Sequence, residues 1–519
     1  MDMGGLLKTA AAYLGRLAET DYAVSPQASG TVNYLIDSYF AKLDARAMAN
    51  RRPIRWAPAD PHTHIRELWL GCEMHTVVTL NQAFPPVFRD LNTWAFSRLF
   101  AGDQAQYRVV PFLDQYEFKD MIQGSYQYRI QSEQICIAPN MKVTLPVFGN
   151  FFVEHIGSGA HLVVTADMCF ESMGCSITVM ANPTQQGAAE QFIADMHASL
   201  LANDIYHCKC LSYVRGHLDF MEVTPTPWSG IILKPHLKEG IRQSTVEVLQ
   251  HSEQLAGLGM CPNSNVILIS PPGMAKTKIF RAVSGEVVGK MTVIWCTGKS
   301  IERSTDVTSL FQAARLLAPC IVFIEDMDLF GRDRTSAYGG DNHVLNEFLA
   351  CLDGAQENSG VVVMASTNDI ASMDEALVNR PGRFDIKFEI PLPDAEDRSN
   401  MLKCFLSEYH ATPDATVTQD TWATVINMTE GLTGAYIRLL AKTTVIRAVS
   451  EGKCGANGAA CSFSADNLNA ASEQVMKNYA IGKKAKKHHI MEVDTHVAQD
   501  AAPKQLPGIL PLKRASGNR

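Results

Sequence analysis

Asn265–Thr277 reads NVILISPPGMAKT, an apolar β-branched run that breaks into a loop and closes on Lys276-Thr277. A strand that ends in such a loop and restarts as a helix turns backbone N–H groups toward an anion. Ser270, Pro271, Pro272, Gly273, Met274 and Ala275 form the loop. Lys276 adds a point charge and Thr277 a hydroxyl suited to magnesium. Farther along, the apolar run CIVFI ends in Glu325-Asp326 and brings carboxylates that suit magnesium coordination and water polarisation. A nucleoside triphosphate site needs both halves.

Working outward, NVILIS, MTVIWC, CIVFIE and VVVMAS are short apolar runs separated by helical segments. That alternation predicts a parallel sheet covered by helices on both faces, with ligands at the carboxyl ends of its strands. All the candidate residues are expected at those ends. After Pro391 four helical stretches follow, EDRSNMLKCFLSEY, TWATVINMTEG, TGAYIRLLAKTTVIRAVSEG and FSADNLNAASEQVMKNYA, and they read as a lid. The expected fold class is α/β, a parallel P-loop sheet flanked by helices with a helical lid, preceded by an α+β amino-terminal region. The expected divisions are a helical region 1–60, an α+β domain 61–225, the nucleotide-binding α/β domain 226–392, the lid 393–480 and a disordered tail 481–519 carrying KKAKKHH.

Within 61–225 the clearest signals are HLVVTADMCF and CSITVMAN, two strands about a short turn. They lead into a helix near 188–201 with Phe192, Ile193, Met196 and Leu200 on one face, and then into the strand HCKCLSYV. VTPTPWSG, 223–230, reads as the linker. The chemistry of this half is not legible.

A chain of 519 residues exceeds one hydrophobic core, and a net charge of −8 does not describe a nucleic-acid-coating surface. No apolar run of roughly 18 residues and no leader at Met1 is visible, so the expectation is a cytoplasmic protein without membrane contact. The 13 cysteines are scattered without metal-ligand spacing and read as small buried hydrophobes. His62 and His64 form an H-x-H pair without partners for a metal.

In order, the motifs are SPPGMAKT, IVFIEDMD, STND, ALVNRPGRFDIKFEIPLPD and GLTGA. Together they resemble the AAA+ ATPases, specifically the AAA clade, over roughly Trp228 to Ala480. The resemblance implies ATP and Mg²⁺ as ligands. It implies that Lys276 holds phosphate, that Thr277 with Glu325 and Asp326 serves the metal, and that Asn368 positions the attacking water. It further implies that Arg380 and Arg383 reach the γ-phosphate of a neighbouring subunit, where a guanidinium stabilises transition-state charge. Gly434 and Ala435 match lid residues that close near the adenosine. Fingers supplied across subunits imply a homo-oligomeric ring, usually a hexamer.

Four departures stand out. Family members usually read GPPGTGKT, so Ser270 and Ala275 replace glycines, making the first motif degenerate. If Ala275 needs a left-handed backbone, the cost is about 1–2 kcal/mol. The acid pair runs Glu-Asp instead of Asp-Glu, an order similar to that of the mitochondrial AAA translocase of the folded Rieske protein. Gly298, Lys299, Ser300 and Ile301 stand where unfoldases of the family carry an aromatic gripping loop, which argues against threading an unfolded chain. No His-Glu-x-x-His run follows the ATPase motifs. The expected function is an ATP hydrolase that remodels a protein or protein complex. The alternative is a nucleotide-binding assembly module with weak or no hydrolysis.

Overall fold

The computed structural model describes residues 61–101, 105–110, 130–168, 175–329, 342–353, 358–380, 382–453 and 461–481. The expected helical region before residue 61 and the tail beyond 481 lie outside the described residues.

An antiparallel sheet comes first in the chain. Its strands are β1 (Val78–Phe84), β2 (Tyr107–Val109), β3 (Gln131–Ala138), β4 (Met141–His155), β5 (Ala160–Asp167) and β6 (Cys175–Ala181). Their order is β1-β6-β5-β4-β2, with β3 also paired to β4. HLVVTADMCF and CSITVMAN supply β5 and β6, which pair antiparallel from Leu162↔Ala181 to Asp167↔Ser176. Alternation along β6 puts Cys175, Ile177, Val179 and Ala181 inward. They meet Phe96 from the helix Arg89–Arg98 and Phe192 and Met196 from the helix Gln186–Ala202, as the helical spacing predicts. From the helix Pro61–Leu70, which contains His62 and His64, the Trp69 indole N–H donates to Leu162 O at 2.9 Å.

Asp90 lies in the first turn of the helix Arg89–Arg98 and is largely buried. Burial pushes its carboxyl up to about 6, while the Arg89 guanidinium and the Cys136 N–H pull the other way. Folded chain therefore binds this proton more tightly than unfolded chain. The sign follows: the contribution of Asp90 to stability is fully present below pH 4, is lost as pH rises toward 6, and changes no further above. Asp90→Asn is expected to flatten that fall, and by pH 7.5 to raise stability by on the order of 2 kcal/mol. Urea midpoints at pH 4.5 and 7.5 check this. A variant that tracks the natural chain at both pH values contradicts it.

The second sheet has seven strands: β7 (Cys210–Val214), β8 (His217–Phe220), β9 (Ser264–Ile269), β10 (Thr292–Thr297), β11 (Cys320–Glu325), β12 (Val361–Thr367) and β13 (Ile386–Glu389), in order β13-β9-β12-β11-β10-β7-β8. The α/β class with a parallel sheet is borne out. β9 through β12 are the four apolar runs, buried almost throughout. One correction concerns HCKCLSYV. Its strand β7 leaves the amino-terminal sheet and pairs parallel with β10, from Val293↔Cys210 to Trp295↔Ser212. A two-residue turn, Arg215 at φ 50° and Gly216 at φ 87°, then returns the chain antiparallel as β8. Tyr206, Leu211, Tyr213 and Leu218 join the core of this sheet, together with Val87, Phe88 and Leu91.

The described residues form two compact units. The first takes the residues up to Trp228, Lys234–Ser270 and Lys276–Glu389, and so holds both sheets. The second takes Ser229–Leu233, Pro271–Ala275 and the residues from Ile390 onward. Its four helices are Ala395–Glu408, Gln419–Met428, Gly434–Ser450 and 465–481, where the sequence places them. They enclose Leu402, Val425, Ile437, Leu440, Phe463 and Leu468. β14 (Ala411–Pro413) and β15 (Cys461–Phe463) pair parallel beside them. Arg398 is buried here and donates to Pro393 O, Ile426 O and Thr429 Oγ1, tying two helices together.

Among the described cysteines Cys175, Cys210, Cys296 and Cys320 are buried thiols as expected, whereas Cys261 is exposed and Cys461 is disulfide-bonded. Among the described residues no helix is long and apolar enough to cross a membrane, and no group of three or more metal-ligating side chains occurs.

Candidate nucleotide site

β9, β11 and β12 are parallel neighbours, so their carboxyl ends converge at one edge of the sheet. β9 ends before Ser270, β11 at Glu325 and β12 before Asn368. The helix Lys276–Val287 opens on the lysine itself. Lys276 is buried, and its ammonium donates to Ser270 O at 2.9 Å, Ser270 Oγ at 3.1 Å and Asn368 Oδ1 at 2.7 Å. Burial pulls its pKa down, and the charges of Asp326, Asp328 and Glu325 pull it back up.

The acids divide between two partners. Thr277 Oγ1 donates to Glu325 Oε1 at 2.5 Å. Asn368 Nδ2 donates to Asp326 Oδ1 at 3.0 Å. Asp326 sits at φ 50°, a left-handed backbone that aspartate tolerates better than glutamate. The longer side chain then falls to the strand's last residue, from which it reaches Thr277. This gives the reversed Glu-Asp order a physical reason.

IVFIEDMD also carries Asp328, which has no role among the residues expected from the motif. Its Oδ1 accepts from Thr367 Oγ1 and from Asn368 N, both at 3.3 Å. A third acid two residues beyond the pair was the available signal.

In the second unit, the loop Pro271–Ala275 lies against the start of the helix Gly434–Ser450. Ala435 N–H donates to Gly273 O at 3.1 Å, and a Cβ at Gly434 would stand 3.4 Å from that oxygen. Gly273 is at φ 84°, and a Cβ there would come within 2.8 Å of Ala435 Cβ and 3.0 Å of Thr433 Oγ1. Only glycine fits. The Thr433 hydroxyl is buried without a hydrogen-bond partner among the described residues.

Ala275 is at φ 63°, so the condition that made its departure costly is met. Ala275→Gly is expected to stabilise the folded chain by about 1 kcal/mol, the relieved strain exceeding the added freedom of the unfolded chain. Differential scanning calorimetry should show a rise of roughly 2–4 °C in the melting midpoint. A midpoint that stays or drops removes strain as the account of this departure.

The two arginines separate. Both stand in the connection between the helix Glu375–Val378 and β13, not at a carboxyl end of a strand. Arg383 is 3% exposed and turned into its own chain. Its Nε and Nη2 donate to the two oxygens of Asp353 at 2.7 Å each, and its Nη1 to Ala376 O at 2.5 Å. In this structure the Arg383 guanidinium is engaged within its own chain, an arrangement that the motif match did not anticipate. The Arg380 side chain is 65% exposed, with Nη1 3.9 Å from Asp353 Oδ2.

The stretch after β10 is a polar 3-10 turn, Gly298–Ser300, closed by a Thr297 and Ser300 capping box. Arg215 N donates to Ser300 O at 3.1 Å, Arg215 pairs with Glu302 at 2.5 Å, and Ile301 is buried. This segment is pinned by the β7–β8 turn.

A model of the family described as "ATPase family associated with various cellular activities (AAA)" matches residues 266–392. Residues 266–392 are an AAA ATPase domain. The AAA match extends from β9 to just past β13 and so contains Lys276, the acid pair, Asn368 and both arginines. Among curated proteins, the ATP-dependent zinc metalloprotease FtsH of Halothermothrix orenii is 34% identical over 222 residues, 41% of this chain and 34% of that protein. The ATP-dependent zinc metalloprotease FTSH 9, chloroplastic/mitochondrial, of Oryza sativa subsp. japonica is 31% identical over 251 residues, 47% of this chain and 31% of its own. The YME1L metalloprotease of Drosophila melanogaster is 32% identical over 228 residues, 42% and 29%. The chain spans about a third of the length of these relatives.

Proposed function

We propose that the chain hydrolyses ATP with magnesium and uses the cycle to remodel a protein or protein complex, acting in a ring of identical subunits. The observation that carries this is the convergence of Lys276, Thr277, Glu325, Asp326 and Asn368 at three parallel strand ends. A buried ammonium among three carboxylates, beside a hydroxyl–carboxylate pair, fits a triphosphate and a divalent cation. Bound magnesium would neutralise phosphate charge. Thr277 and Glu325, a hydroxyl and a carboxylate joined by a hydrogen bond, are the residues that would hold it. Asp326, bridged to Asn368, is then the acid that orients and takes a proton from water. Of the two arginines, the reading assigns Arg380 to a neighbouring subunit, supported by its 65% exposed side chain.

The alternative, a slow assembly module, draws support from one observation, the left-handed Ala275 in the phosphate loop. Phosphate release with and without magnesium, combined with particle mass with and without ATP, separates the two readings. Magnesium-dependent turnover in a multimer supports the first. A nucleotide-stabilised multimer without release supports the second, and neither survives if the chain ignores ATP.

A further inference from the structure

The geometry points to Asp328 as a positioning residue for hydrolysis, acting through Asn368; this rests on the ATPase reading above. β11 ends at Glu325, and the left-handed Asp326 turns the chain off the strand axis into the 3-10 turn Met327–Leu329. Leu329 N donates back to Asp326 O at 3.0 Å, and Met327 is fully buried, so the turn has little freedom. Asp328 is thereby carried to the end of β12. There its Oδ1 accepts from the Thr367 hydroxyl and from the Asn368 main-chain N–H. Thr367 is wholly buried, and its Oγ1 also accepts from Asp369 N at 3.1 Å, so the hydroxyl is fixed on both sides.

The consequence falls on the Asn368 side chain. Its carboxamide must offer oxygen to Lys276 and nitrogen to Asp326 at once, at 2.7 and 3.0 Å. Both bonds depend on where the Asn368 main chain stands, and Asp328 anchors that main chain. A small displacement of a group aligned with attacking water costs rate far more than it costs ground-state binding. Asp328 also adds negative charge near Lys276. A charge role and a positioning role differ in what asparagine can replace, because asparagine keeps the acceptor oxygen and loses the charge.

The test compares Asp328→Ala, Asp328→Asn and the natural chain in steady-state ATP hydrolysis, in binding of a fluorescent ATP analogue, and in hydrogen exchange of the Asn368 amide without nucleotide. In Asp328→Ala, kcat is expected to fall about ten- to thirty-fold, with analogue affinity within about twofold and faster Asn368 exchange. Asp328→Asn is expected to recover most of kcat and of the amide protection. Should Asp328→Ala not fold, Thr367→Val removes the hydroxyl donor alone and is expected to lower kcat about threefold or more. Unchanged kcat in Asp328→Ala overturns the proposal. So does an Asp328→Asn chain as impaired as the alanine variant with weakened analogue binding, which would assign a charge role. Absence of turnover in the natural chain defeats the ATPase reading instead, and the amide exchange then still reports on the anchor.

Discussion

Asp326→Asn is expected to reduce ATP turnover by about 10²–10⁴-fold, the range for loss of a positioned general base. Affinity for ATP is expected to stay within about threefold of the natural chain, because the substitution leaves Lys276 in place. The split follows from the geometry. Asp326 accepts from Asn368 Nδ2, whereas the Thr277 hydroxyl is bonded to Glu325. Asparagine tolerates the left-handed backbone at this position, so the fold should survive, but it cannot take a proton from water. Glu325→Gln is expected to differ by weakening the dependence on magnesium. Steady-state kinetics against magnesium concentration distinguishes the pair. If Glu325→Gln showed the unchanged magnesium dependence and Asp326→Asn the altered one, the assignment of the two acids would have to be exchanged.

Arg383→Ala is expected to act first on stability. The guanidinium makes two 2.7 Å bonds to Asp353 and one to Ala376 O, and the residue is 3% exposed. Removing one partner of a buried pair costs about 3–5 kcal/mol, and the lower end applies here because the Asp353 side chain is 33% exposed and water can reach it. A drop of roughly 6–12 °C in melting midpoint follows. The Arg383 hydrogen bonds hold the Asp353 carboxyl below the usual carboxylate range. That contribution is present above the unfolded pKa and is lost as pH falls through the lower folded one. The midpoint gap between Arg383→Ala and the natural chain should therefore narrow below pH 4. Arg380→Ala, at an exposed site, should leave the midpoint unchanged while lowering turnover if the side chain serves a neighbour. Equal midpoints for Arg383→Ala and the natural chain would remove the structural role assigned to that arginine.

The nucleotide half of the fold was legible because each signal was local. β9 to β12 are unbroken apolar runs, and Lys276, Glu325, Asp326 and Asn368 sit at their ends in the motif order. The amino-terminal sheet was only partly legible. β4 runs 15 residues through Pro146 and Gly149, and both read as breaks. A register shift between Gln131 and Ser132 accommodates the proline, and Gly149 lies where a Cβ would stand 3.1 Å from Ile130. β1 alternates between half-buried and exposed positions and gives a weak apolar signal. HCKCLSYV was recognised as a strand, but nothing within it names its partner, and parallel pairing with β10 joins residues some 80 positions apart. The inward turn of Arg383 was hidden for the same reason. Its partner Asp353 lies 30 residues upstream in no motif.

Titration calorimetry of magnesium ATP into the natural chain and into Lys276→Ala tests the central claim most directly. A single saturable site in the natural chain, weakened about 30-fold or more by removal of an ammonium bonded to Asn368 and Ser270, is the predicted result. No binding by the natural chain, or equal binding by both, would contradict it.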